Sequence, residues 1–203
     1  MRNSRAPWWA VVSSACAPVL LVGGWQLAAA RQPGGFDPVR ETISALASRG
    51  ATDRWVMTTA LAGVGICHTI TAAGLAPAAV GGRALLATGG AATVVLAAFP
   101  QPATGDSVEH VAAASVALSL LSLWPALAWQ SGGLPRRGVW ALAATGLLGL
   151  LGWFGIEYFS ASPRLGLSER ILTAAQALWP LAAVLLLRRR QAPARTTVIG
   201  RPE

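Results

Sequence analysis

Residues 138–159, GVWALAATGLLGLLGWFGIEYF, form an apolar block in which Glu157 is the single charged side chain. A bilayer core about 30 Å thick needs roughly 20 apolar residues in a helix, so this block is long enough to cross a membrane. Five further blocks share this character, and the predicted spans are residues 8–30, 55–75, 83–99, 108–129, 138–159 and 168–187. The sequence therefore predicts an all-α fold, a polytopic membrane helical bundle of six transmembrane helices.

The composition of the whole chain agrees with this prediction. Hydrophobic residues make up 54% of the 203 residues and charged residues only 12%, a profile typical of membrane proteins. The six predicted spans occupy most of the chain and leave no room for a separate soluble domain. We therefore expect one integral membrane domain over residues 1–203, with residues 188–203 as a basic tail.

Arginines flank the predicted spans unequally, and the sequence contains no lysine. Ten of the 16 arginines fall on the side of the membrane that carries both chain ends: Arg2, Arg5, Arg83, Arg136, Arg137, Arg188, Arg189, Arg190, Arg195 and Arg201. The positive-inside rule makes that side the cytoplasm, so we expect a multi-pass plasma-membrane protein with cytoplasmic N- and C-termini. Topology and attraction to anionic head groups explain the net charge of +8, and we expect membrane lipids, not nucleic acid, as partners.

Seven of the eight acidic residues are predicted on the opposite, outer side: Asp37, Glu41, Asp53, Asp106, Glu109, Glu157 and Glu169. Six arginines share that boundary and nearly balance them. An ion-paired polar cap over the bundle is one interpretation. The other is that some of these acids surround a pocket. Asp53 and Glu169 fall in the predicted first turns of two spans, where the helix dipole favours a negative charge, so each has a structural explanation.

The stretch FPQPATGDSVEH, residues 99–110, places two acids and a histidine at the start of the fourth predicted span. Asp106 followed three positions later by Glu109 fits a capping box, in which both acids bind free backbone amides of the first turn. His110 would lie in that turn, where a neighbouring carboxylate could hold it. Two interpretations remain: a helix cap, or one wall of a site in which His110 acts as a base.

Glu157 lies in the last turns of the fifth predicted span, the end of a helix at which the dipole disfavours an anion. Aromatic residues surround it in the stretch LLGWFGIEYFSASP. A carboxylate in such surroundings needs a partner, and acids inside a membrane are candidates for function. The alternative is that Glu157 pairs with Arg164 or Arg170 across the short outer loop, which would make its role structural.

The long first outer connection contains the segment FDPVRETISALASRG, residues 36–50, which has the pattern of a short amphipathic helix. Asp37 would be its N-cap, Pro38 its first helical residue and Gly50 its terminator. Its polar face would carry Glu41. The helix could anchor the loop at the membrane interface, or it could fold back over the bundle as a lid.

Two further patterns concern the interior of the bundle. His68 lies deep in the second predicted span, about 15 to 20 Å from the depth of His110, so we expect no shared metal ion or haem and no other cofactor. A hydrogen-bonded buried histidine is the expected role of His68. Glycines recur along one face of the fifth span (Gly146, Gly149, Gly152 and Gly155), and this face is expected to meet a neighbouring helix.

The outer segment DPVRETISALAS and the proline-bearing loop FPQPATGDSVEH, together with the six spans, resemble the membrane proteins grouped as domain-of-unknown-function family 998. The resemblance covers about residues 8–187. It implies a six-helix integral membrane protein of a kind common in actinobacteria, and it implies no particular biochemical activity. The use of arginine in place of lysine is compatible with such a source.

Two hypotheses about function follow from these patterns. The first is a non-enzymatic membrane protein with a lipid-interacting, scaffolding or small transport role, in which the outer acids form a structural cap. The second is a membrane-embedded enzyme that performs acid/base chemistry on a lipid or isoprenoid, a hydrophobic small molecule. Its candidate catalytic residues are Glu157, His110, Glu41, Asp106 and Glu109, and the hypothesis requires these groups to converge on one cavity.

Overall fold

The computed structural model describes residues 6–105, 107–129 and 137–189, and these residues form helices without any strand. The helices are α1 (Trp8–Ala29), α2 (Ile43–Leu46), α3 (Trp55–Gly74), α4 (Val80–Ala98), α5 (Val108–Leu123), α6 (Arg137–Phe159) and α7 (Leu165–Arg189). A 3-10 turn, Trp124–Leu127, continues α5. All of these helices except α2 are long and apolar enough to cross a membrane, when α5 is counted together with this turn. The predicted all-α bundle of six spans is therefore confirmed.

The bounds of the spans agree with the prediction within a few residues; α7 and α4 both begin three residues earlier than predicted, and the reason can be seen at α4. This helix begins at Val80, three residues earlier than expected, so Arg83 lies inside its first turn. The Arg83 side chain donates hydrogen bonds to the carbonyl oxygens of Ala72 (3.0 Å) and Ala73 (3.4 Å) at the end of α3. Arg83 therefore satisfies carbonyls that the end of a helix leaves free.

Three connections meet at the end of the bundle away from the chain termini, which we call the distal end: residues 30–54, 99–107 and 160–164. The backbone N–H of Arg49 donates to the carbonyl of Gln101, and that of Leu167 donates to the carbonyl of Val39. These hydrogen bonds join the first long connection to the loop before α5 and to the start of α7. The predicted outer acids that the structure describes therefore lie at one end of the bundle.

The expected amphipathic helix over residues 36–50 is reduced to the single turn of α2, and its N-cap is Thr42, not Asp37. Asp37 instead accepts hydrogen bonds from the backbone N–H groups of Val39 and Arg40 in a local turn. A longer helix does not form because side chains of α7 bind backbone groups of this segment, as described below. Of the two predicted placements, the structure shows the segment folded back over the bundle.

Close packing of α3 against α4 depends on glycine. The two helices approach so closely that a Cβ at Gly90 would lie 2.6 Å from the carbonyl oxygen of Gly65 and 2.7 Å from Oγ1 of Thr69. Gly89 likewise faces Leu121 of α5. The glycine pairs of the second and third spans therefore lie at helix contacts, as expected for small residues between membrane helices.

The glycine face of α6 does not meet another helix, and that prediction was wrong. A Cβ at Gly146, Gly149, Gly152 or Gly155 would find nothing within 4 Å. α6 packs instead through side chains such as Trp140, Ala144 and Leu147, which are buried. Glycine spacing indicates a face on which close approach is possible, but it does not say whether a partner lies there.

A pH-dependent ion pair lies in the connection before α3. Arg31 donates to the Asp53 carboxylate at 2.8 Å, and this bond holds the pKa of Asp53 below its ordinary value. The contribution of the pair to stability is therefore present above about pH 4 and is lost as the pH falls through the lower, folded-state pKa. In a carboxyl-carbon NMR titration, we expect the Asp53 midpoint to lie below about 4 and to return toward it in Arg31→Gln. A midpoint that does not move in the variant would contradict this assignment.

Candidate functional site

The bundle encloses a cavity of about 340 Å³ whose wall is mostly apolar. All six long helices contribute to it, and the connection before α2 and the loop before α5 contribute at the distal end. The polar side chains in the wall are Thr42, Ser44, His68, Thr93, Gln101, His110, Ser115, Ser119, Tyr158, Glu169, Thr173 and Gln176. A cavity that is apolar with a few placed polar groups has the usual character of a small-molecule site.

Glu169 of α7 is the acid in this wall. Its residue is 7% exposed, and its carboxylate accepts a short hydrogen bond from the backbone N–H of Ile43 and one of 3.3 Å from the Ser44 hydroxyl. Glu169 was predicted in a first helical turn. Because α7 begins at Leu165, the residue lies one turn further inside, where it faces the first connection.

His110 lies beside the distal end of the cavity and is 4% exposed. Its Nδ1 is 2.8 Å from the carbonyl oxygen of Phe99. Because a carbonyl oxygen can only accept, Nδ1 carries the proton, and in the neutral ring Nε2 is the acceptor. The structure therefore gives His110 a fixed orientation in the cavity wall.

The cap of α5 differs from the predicted capping box. Ser107 is the N-cap, and its hydroxyl accepts a hydrogen bond of 3.2 Å from the backbone N–H of His110. Because the helix begins one residue later than the box requires, Glu109 is the second helical residue, and its side chain is exposed. Asp106 lies outside the described residues.

The deeper part of the cavity is lined by His68 and Gln176. Gln176 donates from Nε2 to the carbonyl of Leu118 and to the Ser122 hydroxyl, each at 2.9 Å. Nδ1 of His68 is buried and has no hydrogen-bond partner among the described residues, so the predicted hydrogen-bonded role of His68 is not found at this atom. His68 and His110 line the same cavity at different depths.

Arg170 holds the first connection over the distal end of the cavity. Its Nη1 donates to the carbonyl oxygens of Pro38 (2.9 Å), Glu41 (2.6 Å) and Gly166 (3.0 Å). Its guanidinium carbon lies 5.2 Å from the centre of the Phe36 ring, a cation–π distance. We call residues 36–47 the cover segment. Arg170 and Glu169 together bind its carbonyl and N–H groups, which explains why it cannot form a longer helix.

Glu157, the acid singled out by the sequence, lies outside the cavity wall. Its residue is 3% exposed, and Oε1 accepts from Trp153 Nε1 at 2.7 Å and pairs with Arg164 Nη2 at 3.1 Å. This geometry corresponds to the structural alternative, in which Glu157 pairs with an arginine across the outer loop. The neighbouring residues Phe154 and Tyr158 do line the cavity.

The four candidate catalytic residues that the structure describes do not converge on one site. His110 lines the cavity, whereas Glu157, Glu41 and Glu109 do not. The exposed Glu41 side chain accepts a hydrogen bond of 2.8 Å from the backbone N–H of Asp37. Glu169, which sequence reasoning assigned to a helix dipole, is the acid in the wall. The adjacent Arg170 was the available signal, since neighbouring opposite charges inside an apolar span need partners.

Six apolar helices around an internal cavity define a multi-pass helical membrane protein. The chain belongs to the family described as Protein of unknown function (DUF998), whose model matches residues 15–186. This match confirms the family resemblance that was predicted from the outer segment and the loop before α5. No curated protein and no solved structure matches the chain.

Proposed function

We propose that this protein binds a hydrophobic small molecule or a single lipid-like chain inside the bundle, in a lipid-handling or small transport role. The observation that carries the proposal is the mostly apolar cavity with buried polar side chains at its distal end. Apolar surface of a ligand is favoured there by the hydrophobic effect, and a few fixed polar groups orient it. We place the protein in the plasma membrane with cytoplasmic termini, because of the distribution of arginine.

The acid/base enzyme hypothesis has less support from the geometry. It needs several acids around His110, and the candidate acids Glu157, Glu41 and Glu109 lie outside the wall. Binding needs only a cavity of suitable size and polarity. We therefore keep binding as the proposed function.

Two glycines of α6 offer a matched test of the cavity. Gly155 lines the cavity and Gly152 does not, and a Cβ at either position meets nothing within 4 Å. We expect Gly155→Phe to fill the cavity and to reduce the amount of co-purifying ligand by about tenfold or more, a change of about 1.4 kcal/mol in binding. Gly152→Phe is expected to retain the ligand. The measurement is native mass spectrometry of both variants and the parent protein, purified from the same membranes.

Glu157→Gln is a second control for the same experiment. Because Glu157 pairs with Arg164 outside the wall, we expect its ligand to be the same as that of the parent protein. Equal ligand content in Gly155→Phe and Gly152→Phe would contradict the proposed site. Loss of ligand in Glu157→Gln with retention in Gly155→Phe would move the site to Glu157.

A further inference from the structure

The charges in the cavity wall are of one sign. Glu169 is the acid among the lining residues that the structure describes, and no arginine occurs among them. The sequence contains no lysine. A ligand with an anionic head group would therefore meet a carboxyl group in a wall whose described residues include no arginine, which is costly in surroundings of low dielectric constant.

The nearest cation in sequence, Arg170, interacts with Glu169 through its charge, but its hydrogen bonds lie outside the cavity wall. Its Nη1 is bound to the carbonyl oxygens of Pro38, Glu41 and Gly166, and its guanidinium lies over the rings of Trp25 and Phe36. These contacts hold the cover segment, the start of α7 and Trp25 of α1. Arg170 therefore stabilises the fold and does not line the cavity.

Two of the groups at the distal end of the cavity, Glu169 and His110, are hydrogen-bond acceptors. Glu169 contributes carboxylate oxygens, and His110 contributes Nε2 because its Nδ1 donates to Phe99. The Ser44 hydroxyl already donates to Glu169. A ligand end that donates hydrogen bonds fits these two acceptors.

The shape of the cavity indicates how the rest of the ligand lies. His110 is two residues into α5 and His68 is 13 residues into α3, and both helices start at the distal end. At 1.5 Å per residue, the two histidines differ in depth by about 17 Å. A volume of about 340 Å³ spread over that depth leaves a narrow space that suits one chain.

From these observations we infer that the cavity takes a single-chain amphiphile whose polar end is a non-anionic hydrogen-bond donor, an amine or an alcohol, placed between Glu169 and His110. The inference rests on the proposed binding function and specifies its ligand class. The acid in the same wall disfavours carboxylic acids and phosphorylated chains.

Three probes of equal chain length test this inference: dodecylamine, dodecanol and dodecanoic acid. Binding is measured by native mass spectrometry on the full chain in phosphatidylcholine nanodiscs, with empty nanodiscs as background. The amine and the alcohol are expected to bind at least about tenfold more tightly than the acid. The amine and the alcohol each donate a hydrogen bond to the wall, charge-assisted for the amine, whereas the acid places an anion beside Glu169. An acid that binds as tightly as the amine would overturn the inference.

The variant Glu169→Gln tests the named acid while keeping an oxygen that can accept from Ile43. It is expected to weaken amine binding by about tenfold and to change alcohol binding much less. Glu109→Gln, an exposed acid at the same end, is the control and should change neither. Unchanged amine binding in Glu169→Gln would also overturn the inference. If no probe binds the parent protein better than Gly155→Phe, the proposed function itself fails, which is a distinct result.

Discussion

Replacing Gly90 with alanine is expected to lower the free energy of unfolding by about 2 kcal/mol or more, because the bundle has no room for a methyl group at this position. The added Cβ would lie 2.6 Å from the Gly65 carbonyl oxygen, and neither backbone can move without separating α3 from α4. Thermal unfolding of the purified protein in one detergent measures the effect.

Gly149→Ala in α6 is the matched control for Gly90→Ala. Both substitutions exchange glycine for alanine inside a long helix, but a Cβ at Gly149 meets nothing within 4 Å. The intrinsic preference of alanine for helices should then raise stability by about 0.5 to 1 kcal/mol. Equal losses in the two variants would show that helix propensity, not close packing, governs both sites.

Arg170→Gln is expected to release the cover segment from the end of the bundle. The substitution removes the guanidinium that serves three carbonyl oxygens, and a hydrogen bond from a charged donor contributes about 1.5 to 3 kcal/mol. Amide hydrogen exchange in residues 36–47 should accelerate by roughly a hundredfold, since local opening becomes easier by about 2 to 3 kcal/mol. Mass spectrometry of peptic fragments can follow this segment separately from α3 and α4.

The control for Arg170→Gln is Arg40→Gln. Arg40 lies within the cover segment, is largely exposed and pairs with Asp37 at 3.5 Å. An exposed pair of this kind contributes about 0 to 1 kcal/mol, so exchange should change severalfold at most. If both variants accelerate exchange to the same extent, the contacts of Arg170 are not what holds the segment.

The six spans could be predicted from composition with errors of a few residues. At α4 the predicted start, residue 83, was three residues late because Arg83 was taken as a flanking charge. Its long side chain reaches back to the carbonyls at the end of α3, so the residue belongs to the helix. Errors of this kind arise where a polar side chain finds a partner in the preceding element.

The candidate site was predicted less well, and Glu157 and Glu169 show why. Glu157 attracted attention because the helix dipole gives it no local stabilisation, yet its partner Arg164 lies seven residues further along the same chain. Glu169 had an adequate local explanation and was set aside. Its actual partners, Ile43 and Ser44, lie more than 120 residues away in the sequence, so no local rule could find them.

The cover segment shows the same limit for secondary structure. Its sequence has a correct local pattern for a helix that begins at Asp37, and the folded protein forms only the turn Ile43–Leu46. Arg170 and Glu169 bind backbone groups that a longer helix would need. Local preference is worth a fraction of a kcal/mol per residue, and charge-assisted hydrogen bonds exceed it.

The sequence by itself determined the number of apolar helices, their approximate bounds and the family, because the length and polarity of a membrane span are local properties of the chain. The tertiary structure decided which polar groups meet: Glu169 with the cover segment, Arg164 with Glu157, and His110 with the cavity. It also decided that the glycines of α3 and α4 are packed while those of α6 are open. Apart from the Glu157–Arg164 pair, these outcomes depend on contacts between helices distant in sequence, and the energies of such contacts are absent from any single segment.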